Sequence, residues 1–210
     1  MHQSFSIEEA LRFGWEKTKQ HSLLVFQIVL TIFALNVAQS VVQKVLEGTF
    51  TGAVAVLVLG IVSSVLTIGA VLISLKLARG EHTVYNDLVP PWSLIWRYYV
   101  LSFFMIIIIV IGLILLVIPG IYLAIRFSMA IFALFDGAEI RESLSVSSKL
   151  TEGVKWHLFG FMLVFILLNI VGALLLGVGL LVSIPVTMIA NAHIYLKLKS
   201  HHHSHSHAAN

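Results

Sequence analysis

Six long apolar runs dominate this sequence, and each is close to the ~20 residues that a helix needs to cross the ~30 Å hydrocarbon core of a bilayer. They lie at about 22–42, 53–78, 98–118, 119–135, 156–174 and 177–196. The bilayer core offers no water to the backbone, so spans of this kind fold as helices. The sequence therefore predicts an all-α, polytopic membrane bundle of six transmembrane helices.

Two of the predicted boundaries depend on dividing a longer apolar stretch. Pro119-Gly120 divides the third run from the fourth, and a cluster of three glycines at 172–179 divides the fifth from the sixth. Both residue types interrupt helices. Leaving both stretches undivided gives four spans instead of six.

The composition leaves little of the chain outside the bilayer. Of the 210 residues, 59% are hydrophobic and 11% are charged, and the mean hydropathy is +0.98. The longest polar stretches, 1–21, 79–97 and 136–155, are much shorter than the ~50 residues of an independent domain. We therefore expect residues 1–200 to form a single membrane domain without a soluble catalytic domain.

Charge and cysteine content exclude two further classes of protein. The chain has no cysteine, which excludes a secreted disulfide scaffold. Its 13 Lys+Arg and 10 Asp+Glu residues are spread along the sequence. A nucleic-acid binder gathers its basic residues on one element, so this class is excluded as well.

The basic residues also indicate the orientation, because lysine and arginine beside short loops stay on the cytoplasmic side. With six spans and a cytoplasmic N-terminus, Lys44 is the only basic residue in an outer segment. We predict a multi-pass protein of the cell (inner or plasma) membrane with both termini in the cytoplasm. The same arrangement puts the four tryptophans at the inner interface: Trp15, Trp92, Trp96 and Trp156.

Two amphipathic helices are expected on the cytoplasmic surface, in contact with membrane lipids. The first follows a capping box formed by Ser6 and Glu9. The second covers 138–150 and places Ile140, Leu144 and Ser147 on one face. Asp136 lies about 15 Å along the helix from Arg126, which is too far for a direct salt bridge. We therefore expect Asp136 to cap this second helix instead.

Arg126 is the most constraining single residue, because its guanidinium keeps its proton and costs at least ~2.5 kcal/mol at the centre of a transmembrane helix. A helix starting near Pro119 places Arg126 about 10 Å deep, and counting along the first and fifth spans brings Asn36 and Asn169 to the same level. We predict that Arg126 donates to both asparagine side chains, or to carbonyls freed near Pro185.

Two interpretations of Arg126, Asn36 and Asn169 remain open. They form either a polar clamp that fixes helix packing or a binding site for an anionic headgroup or solute. The absence of an acidic residue at that depth favours the clamp.

Enzyme signatures are absent from the sequence. It contains no H-E-x-x-H zinc motif, no G-x-S-x-G elbow and no pair of intramembrane aspartates. We therefore predict no catalytic activity, no cofactor and no metal site. The histidine-rich tail at 201–210 offers imidazoles to a transition metal, but a disordered end or a cloning remnant explains it better.

An ordered set of short motifs lies between residues 75 and 160. They are Ala78-Arg79-Gly80-Glu81, Asp87-Leu88, Ile118-Pro119-Gly120-Ile121, Arg126-Phe127-Ser128, Asp136-Gly137, Glu142-Ser143-Leu144, Ser147, Leu150-Thr151-Glu152-Gly153 and Trp156.

In these motifs the chain resembles a group of bacterial and archaeal multi-spanning proteins of unknown function, and it is similar to the membrane domain of some glycerophosphoryl diester phosphodiesterases. Ser143 stands where that group has alanine. The catalytic barrel of those enzymes has no counterpart in this sequence. The resemblance therefore implies a fold and a compartment, and it carries no catalytic residues.

The sequence thus predicts a non-enzymatic membrane component that supports the envelope, a lipid environment or a protein partner. The alternative is a small transporter or channel in which Arg126 binds an anion. The lack of acidic residues deep in a span argues against proton coupling.

Overall fold

A computed structural model describes residues 6–174 and 179–208, with side chains in the last helix described as far as residue 202. Within these residues the chain folds into helices joined by short turns. They are α1 (Ile7–Gln20), α2 (Ser22–Val45), α3 (Phe50–Arg79), a short 3-10 helix (Tyr85–Leu88), α4 (Trp92–Leu115), α5 (Val117–Arg126), α6 (Ala130–Phe135), α7 (Ile140–Leu150), α8 (Lys155–Leu174) and α9 (Leu180–Ala208).

Six segments of the described chain are long and apolar enough to cross a membrane. They are Ser22–Val45, Phe50–Arg79, Tyr85–Leu115, Val117–Phe135, Lys155–Leu174 and Leu180–His202. This confirms the predicted all-α bundle and its six spans. Many large apolar side chains on the outer faces of these helices are exposed, as contact with lipid requires.

The third and fourth spans separate at Leu116, slightly before the predicted division. Leu116 is extended, with φ −165° and ψ 144°, and α5 begins at the next residue. Pro119 therefore lies in the first turn of α5, where the missing N–H removes no intrahelical hydrogen bond. Proline helps to start a helix here instead of ending one.

α9 lies at the centre of the bundle and contacts α1, α2, α3, α7 and α8. Its residues Ala190, Ala192 and Ile194 are completely buried, and Tyr195 is nearly so. The helix continues without interruption to Ala208. The predicted disordered tail covers 201–210: residues 201–208 are the last turns of this helix, and 209–210 lie outside the described residues.

α1 packs along α9, which differs from the predicted helix lying flat on the membrane surface. Its buried face consists of Ala10, Gly14 and Thr18, spaced by four residues. A Cβ atom added to Gly14 would lie 2.4 Å from the Val186 carbonyl oxygen, so the two backbones are in contact. Small residues at this spacing are typical of close packing between membrane helices.

The polar contacts of α1 show its direction. Glu9 forms an ion pair with Lys197, and the Phe13 ring stacks on His193 with centroids 3.9 Å apart. Successive turns of α1 thus meet earlier turns of α9, and the helices run antiparallel. Ser6 does precede α1, but its side chain makes no capping hydrogen bond, so the predicted capping box with Glu9 is wrong.

The segment after α3 folds back against the same helix. Lys76 and Asp87 form an ion pair with 3.0 Å between Nζ and Oδ1. A Cβ atom added to Gly69 would lie 1.9 Å from the Leu88 carbonyl oxygen. Gly69 therefore admits the backbone of Leu88 to the surface of α3, which any larger residue would prevent.

We expect Gly69→Ala to destabilise the protein by about 1–3 kcal/mol, because the added methyl group overlaps backbone that has little freedom to move. Gly60→Ala in the same helix is the matched control, since its Cβ would meet only the Gln39 side chain, at 3.5 Å. Alanine there should raise stability by up to ~1 kcal/mol through helix propensity. Thermal unfolding in detergent measures both, and equal responses would contradict the docking of Leu88 on α3.

Candidate functional site: a hydroxyl clasp and a buried carboxylate

Arg126 is the last residue of α5, and its side chain points to α7. Its Nε donates to the Ser148 hydroxyl with 2.8 Å between the two atoms. Its guanidinium also lies 5.8 Å from the centre of the Phe127 ring. The side chain is partly exposed, so the guanidinium lies at the edge of the packed core.

The chain leaves helical geometry immediately after Arg126, and α6 starts only at Ala130. Such a break frees backbone groups that must find partners where water is scarce. Ser147 is the partner of two of these backbone groups. Its Oγ accepts from the Met129 N–H at 3.1 Å and donates to the Arg126 carbonyl at 2.8 Å. Thr151 donates to the same carbonyl at 3.2 Å.

We call Ser147, Ser148 and Thr151 the hydroxyl clasp. Ser147 and Thr151 are fully buried. Ser147 and Ser148 lie on the face of α7 that meets the break, and Thr151 is the C-cap residue of the same helix. This face was partly visible in the sequence, because the amphipathic pattern places Ser147 on the same side as Ile140 and Leu144. No pattern in the sequence indicates that the fourth span is interrupted opposite that face.

The structure does not bring the three predicted ligand-binding residues together. The Asn36 side chain donates to the Ile32 carbonyl of its own helix at 2.7 Å. Asn169 donates to the Phe165 carbonyl at 2.8 Å and accepts from Ser183 at 2.9 Å. The hydrogen bonds predicted from Arg126 to Asn36 and Asn169 are therefore not formed.

The cavities beside these residues show that Asn36 and Arg126 lie at different levels of the bundle. Asn36 and Leu180 line one apolar cavity of about 210 Å³. Ser128, just after Arg126, lines another of the same volume with Asn191. Asn191 is about 16 Å farther along α9 than Leu180, at 1.5 Å per residue. The predicted common level placed Arg126 by its distance from Pro119, but its guanidinium is directed to Ser148 of α7 and not to α2 or α8.

Asp136 follows α6 and forms the second part of the site. Its carboxylate pairs with Arg79 at the end of α3 and with Lys199 on α9. It also accepts from the Tyr195 hydroxyl at 2.7 Å. Only 13% of the Asp136 side chain is exposed. We call the end of the bundle where Arg79, Asp136 and Lys199 meet the basic end.

These partners determine the ionisation of Asp136. Burial alone would raise its pKa, but the hydrogen bonds from Lys199 and Tyr195 and the charge of Arg79 outweigh burial. The pKa of Asp136 therefore lies below its ordinary value, and the carboxylate is charged at neutral pH.

The predicted capping role of Asp136 is wrong. α7 starts at Ile140 with Glu139 as the N-cap residue, and Glu142 completes a capping box with it. The Glu142 carboxylate accepts from the Glu139 N–H at 3.2 Å. The helix thus supplies its own cap, and the Asp136 carboxylate pairs with Arg79 and Lys199 instead.

A cleft of about 500 Å³ opens beside Asp136, between the end of α6, α7 and α9. Its charged or titratable lining residues are Asp136, Glu142, Lys149, Lys199 and His202, together with the Tyr195 phenol. Apolar lining comes from Ala133, Val146 and Leu150. The cleft therefore joins a charged rim to an aliphatic wall.

The four tryptophans predicted at the interface are all exposed, with exposed fractions of 44% for Trp15, 76% for Trp92, 63% for Trp96 and 84% for Trp156. Arg97, which follows Trp96, donates to the Ala138 carbonyl beside the cleft at 3.0 Å. Exposed indoles next to basic side chains suit the headgroup layer.

Comparisons of the chain with protein-family models, with curated proteins and with solved structures found no match.

We expect Ser147→Ala to lower stability by about 1–3 kcal/mol, because it leaves the buried Met129 N–H without an acceptor. Ser145 lies on the exposed side of the same helix, and Ser145→Ala should change stability by no more than ~0.5 kcal/mol. Thermal unfolding of both variants in the same detergent makes the comparison. Equal stability of the two variants would show that the clasp contributes nothing to the break.

Proposed function

We propose that this integral membrane protein is a non-catalytic component of the cell membrane, which contacts lipid or a protein partner through its basic end and does not pass solutes. The observation that carries the proposal is the position of Arg126. Its guanidinium is bound to the hydroxyl clasp at the edge of the core. A carrier that binds an anion in mid-membrane would hold this cation inside a polar cavity between the spans.

The polar side chains within the spans support the same conclusion. Besides the two asparagines, Thr67 donates to the Ser63 carbonyl at 2.9 Å, and Thr187 donates to the Ser183 carbonyl at 2.8 Å. Hydroxyls bonded within their own helix serve the backbone and offer little to a passing solute. The two cavities of about 210 Å³ are walled mainly by aliphatic and aromatic side chains.

The state of Asp136 supports a non-catalytic role. A general base needs an available lone pair and a pKa near the working pH. Asp136 is instead engaged by Arg79, Lys199 and Tyr195, and its pKa is lowered. Its contacts join α3, α6 and α9, which is a structural task.

The resemblance to the multi-spanning proteins of unknown function belongs to this proposal. Arg126, Asp136, Ser147 and Thr151 are among the residues that carry it, and these residues build the clasp and the ion cluster. These motifs stabilise a helix break and a buried carboxylate, which are structural tasks. This is compatible with a family whose members share a fold.

Flux measurements test the proposal. We expect liposomes containing the wild-type protein to release chloride, nitrate and phosphate no faster than empty liposomes. Arg126→Leu should not change this, and Arg141→Leu provides a control for the loss of an exposed arginine on α7. Wild-type flux that Arg126→Leu abolishes and Arg141→Leu preserves would establish the alternative, an anion carrier or channel.

The proposed orientation places the basic end in the cytoplasm, where the positive-inside rule puts Arg79, Arg97 and Lys199. The turn between α2 and α3 then faces outward. The sequence contains no cysteine, so single cysteines can be introduced at exposed positions in both regions.

We expect Glu47→Cys, in the outer turn, to react with a membrane-impermeant maleimide in intact cells. Ser200→Cys, at the basic end, should react only after permeabilisation. Both side chains are exposed, so access to solvent is comparable once the membrane is opened. The reverse labelling pattern would invert the proposed topology.

A further inference from the structure

The cleft beside Asp136 is larger than the ion cluster needs. Its volume of about 500 Å³ lies in the ~300–1,000 Å³ range of small-molecule sites in proteins. Its lining combines two lysines with an aliphatic wall formed by Val146, Leu150 and Ala133. A ligand that fits both parts is amphiphilic, with a charged head and an apolar body.

Lys149 is the cation that the cleft can offer to an anion. Arg79 and Lys199 both pair with Asp136, and Arg79 also pairs with Glu81, so the charges of this cluster balance. Lys149 lines the cleft and forms no ion pair within the described residues, so its positive charge can meet a ligand. The Glu142 carboxylate already accepts from the α7 backbone.

The position of the cleft indicates where the anion comes from. Phe135 ends the fourth candidate span, and Asp136, the next residue, lies in the wall of the cleft. The cleft is therefore at the level where the hydrocarbon core gives way to headgroups. The phosphate of a phospholipid lies at this level, with its glycerol and acyl chains directed toward the core.

We propose that this cleft binds the phosphodiester headgroup of an anionic phospholipid from the adjacent leaflet, with Lys149 and Lys199 as the cations that contact the phosphate and Val146 and Leu150 against the start of the acyl chains. Lys199 then serves both Asp136 and the lipid, which links headgroup binding to the ion cluster that joins α3, α6 and α9. This inference deepens the proposed membrane role and rests on it.

The test measures lipid retention by the purified full-length protein. Native mass spectrometry after titration with phosphatidylglycerol or phosphatidylcholine reports bound lipid directly. Lys149→Gln is the informative variant, because Lys149 lines the cleft without pairing to Asp136, whereas removing Lys199 would also break the ion cluster. Arg141→Gln on the exposed face of α7 is the matched control.

We expect the wild-type protein and Arg141→Gln to retain phosphatidylglycerol in preference to phosphatidylcholine. Lys149→Gln should bind phosphatidylglycerol about fivefold more weakly, the usual effect of one basic residue near an anionic lipid surface. Its melting temperature without added lipid should match that of the wild-type protein, which separates loss of binding from loss of folding.

Three results would overturn the lipid site. They are equal retention of the two lipids by the wild-type protein, equal weakening by Lys149→Gln and Arg141→Gln, and displacement of the lipid by soluble glycerol phosphate at the same concentration. The last result would identify a soluble phosphate ester as the ligand. If lipid preference fails while the flux assay still finds tight liposomes, the headgroup site falls and the non-transporting role stands.

Discussion

The need to pair every backbone group in a medium without water governs this structure. An uninterrupted helix meets that need within itself, but the fourth span is interrupted after Arg126. Ser147 and Thr151 supply the missing donors and acceptor from a helix outside the spans. The bundle therefore contains a short break that is stable only while α7 stays in place. Arg126 adds its own hydrogen bond to Ser148 of the same helix, so the cation for which the sequence predicts mid-membrane partners strengthens the clasp.

The ion cluster at Asp136 stabilises a buried charge in the same way that the clasp stabilises buried backbone groups. A buried carboxylate without partners strongly destabilises the fold, whereas one that accepts from several donors is tolerated and orients the groups that donate to it. Arg79, Tyr195 and Lys199 approach it from two helices. The short α6 between the break and Asp136 is almost entirely buried, so the clasp and the cluster hold its two ends.

Much of the fold could be predicted from the sequence, because span length and hydropathy act over neighbouring residues. The six spans and the face of α7 that carries Ser147 are local patterns of this kind. The candidate site was harder to predict from the sequence than the spans were. Asp136 lies 57 residues from Arg79 and 63 from Lys199 along the chain, and no periodicity reports such a pairing. The partners of Arg126 were predicted wrongly because a count of residues from Pro119 gives a depth but does not show that the guanidinium is directed to α7. Likewise, the four-residue spacing of Ala10, Gly14 and Thr18 is a packing signal, but it does not name α9 as the partner.

The antiparallel pairing of α1 with α9 has a consequence for how the protein is made. Ribosomes deliver α1 before α9, and every other described helix is made between the two. Until then the small-residue face of α1 has no surface to cover it, and the centre of the bundle, which α9 fills, is open. Closure of the bundle therefore waits until α9 is made, and it joins two helices that lie far apart in the sequence. A polypeptide cut short before α9 would keep both of these surfaces uncovered.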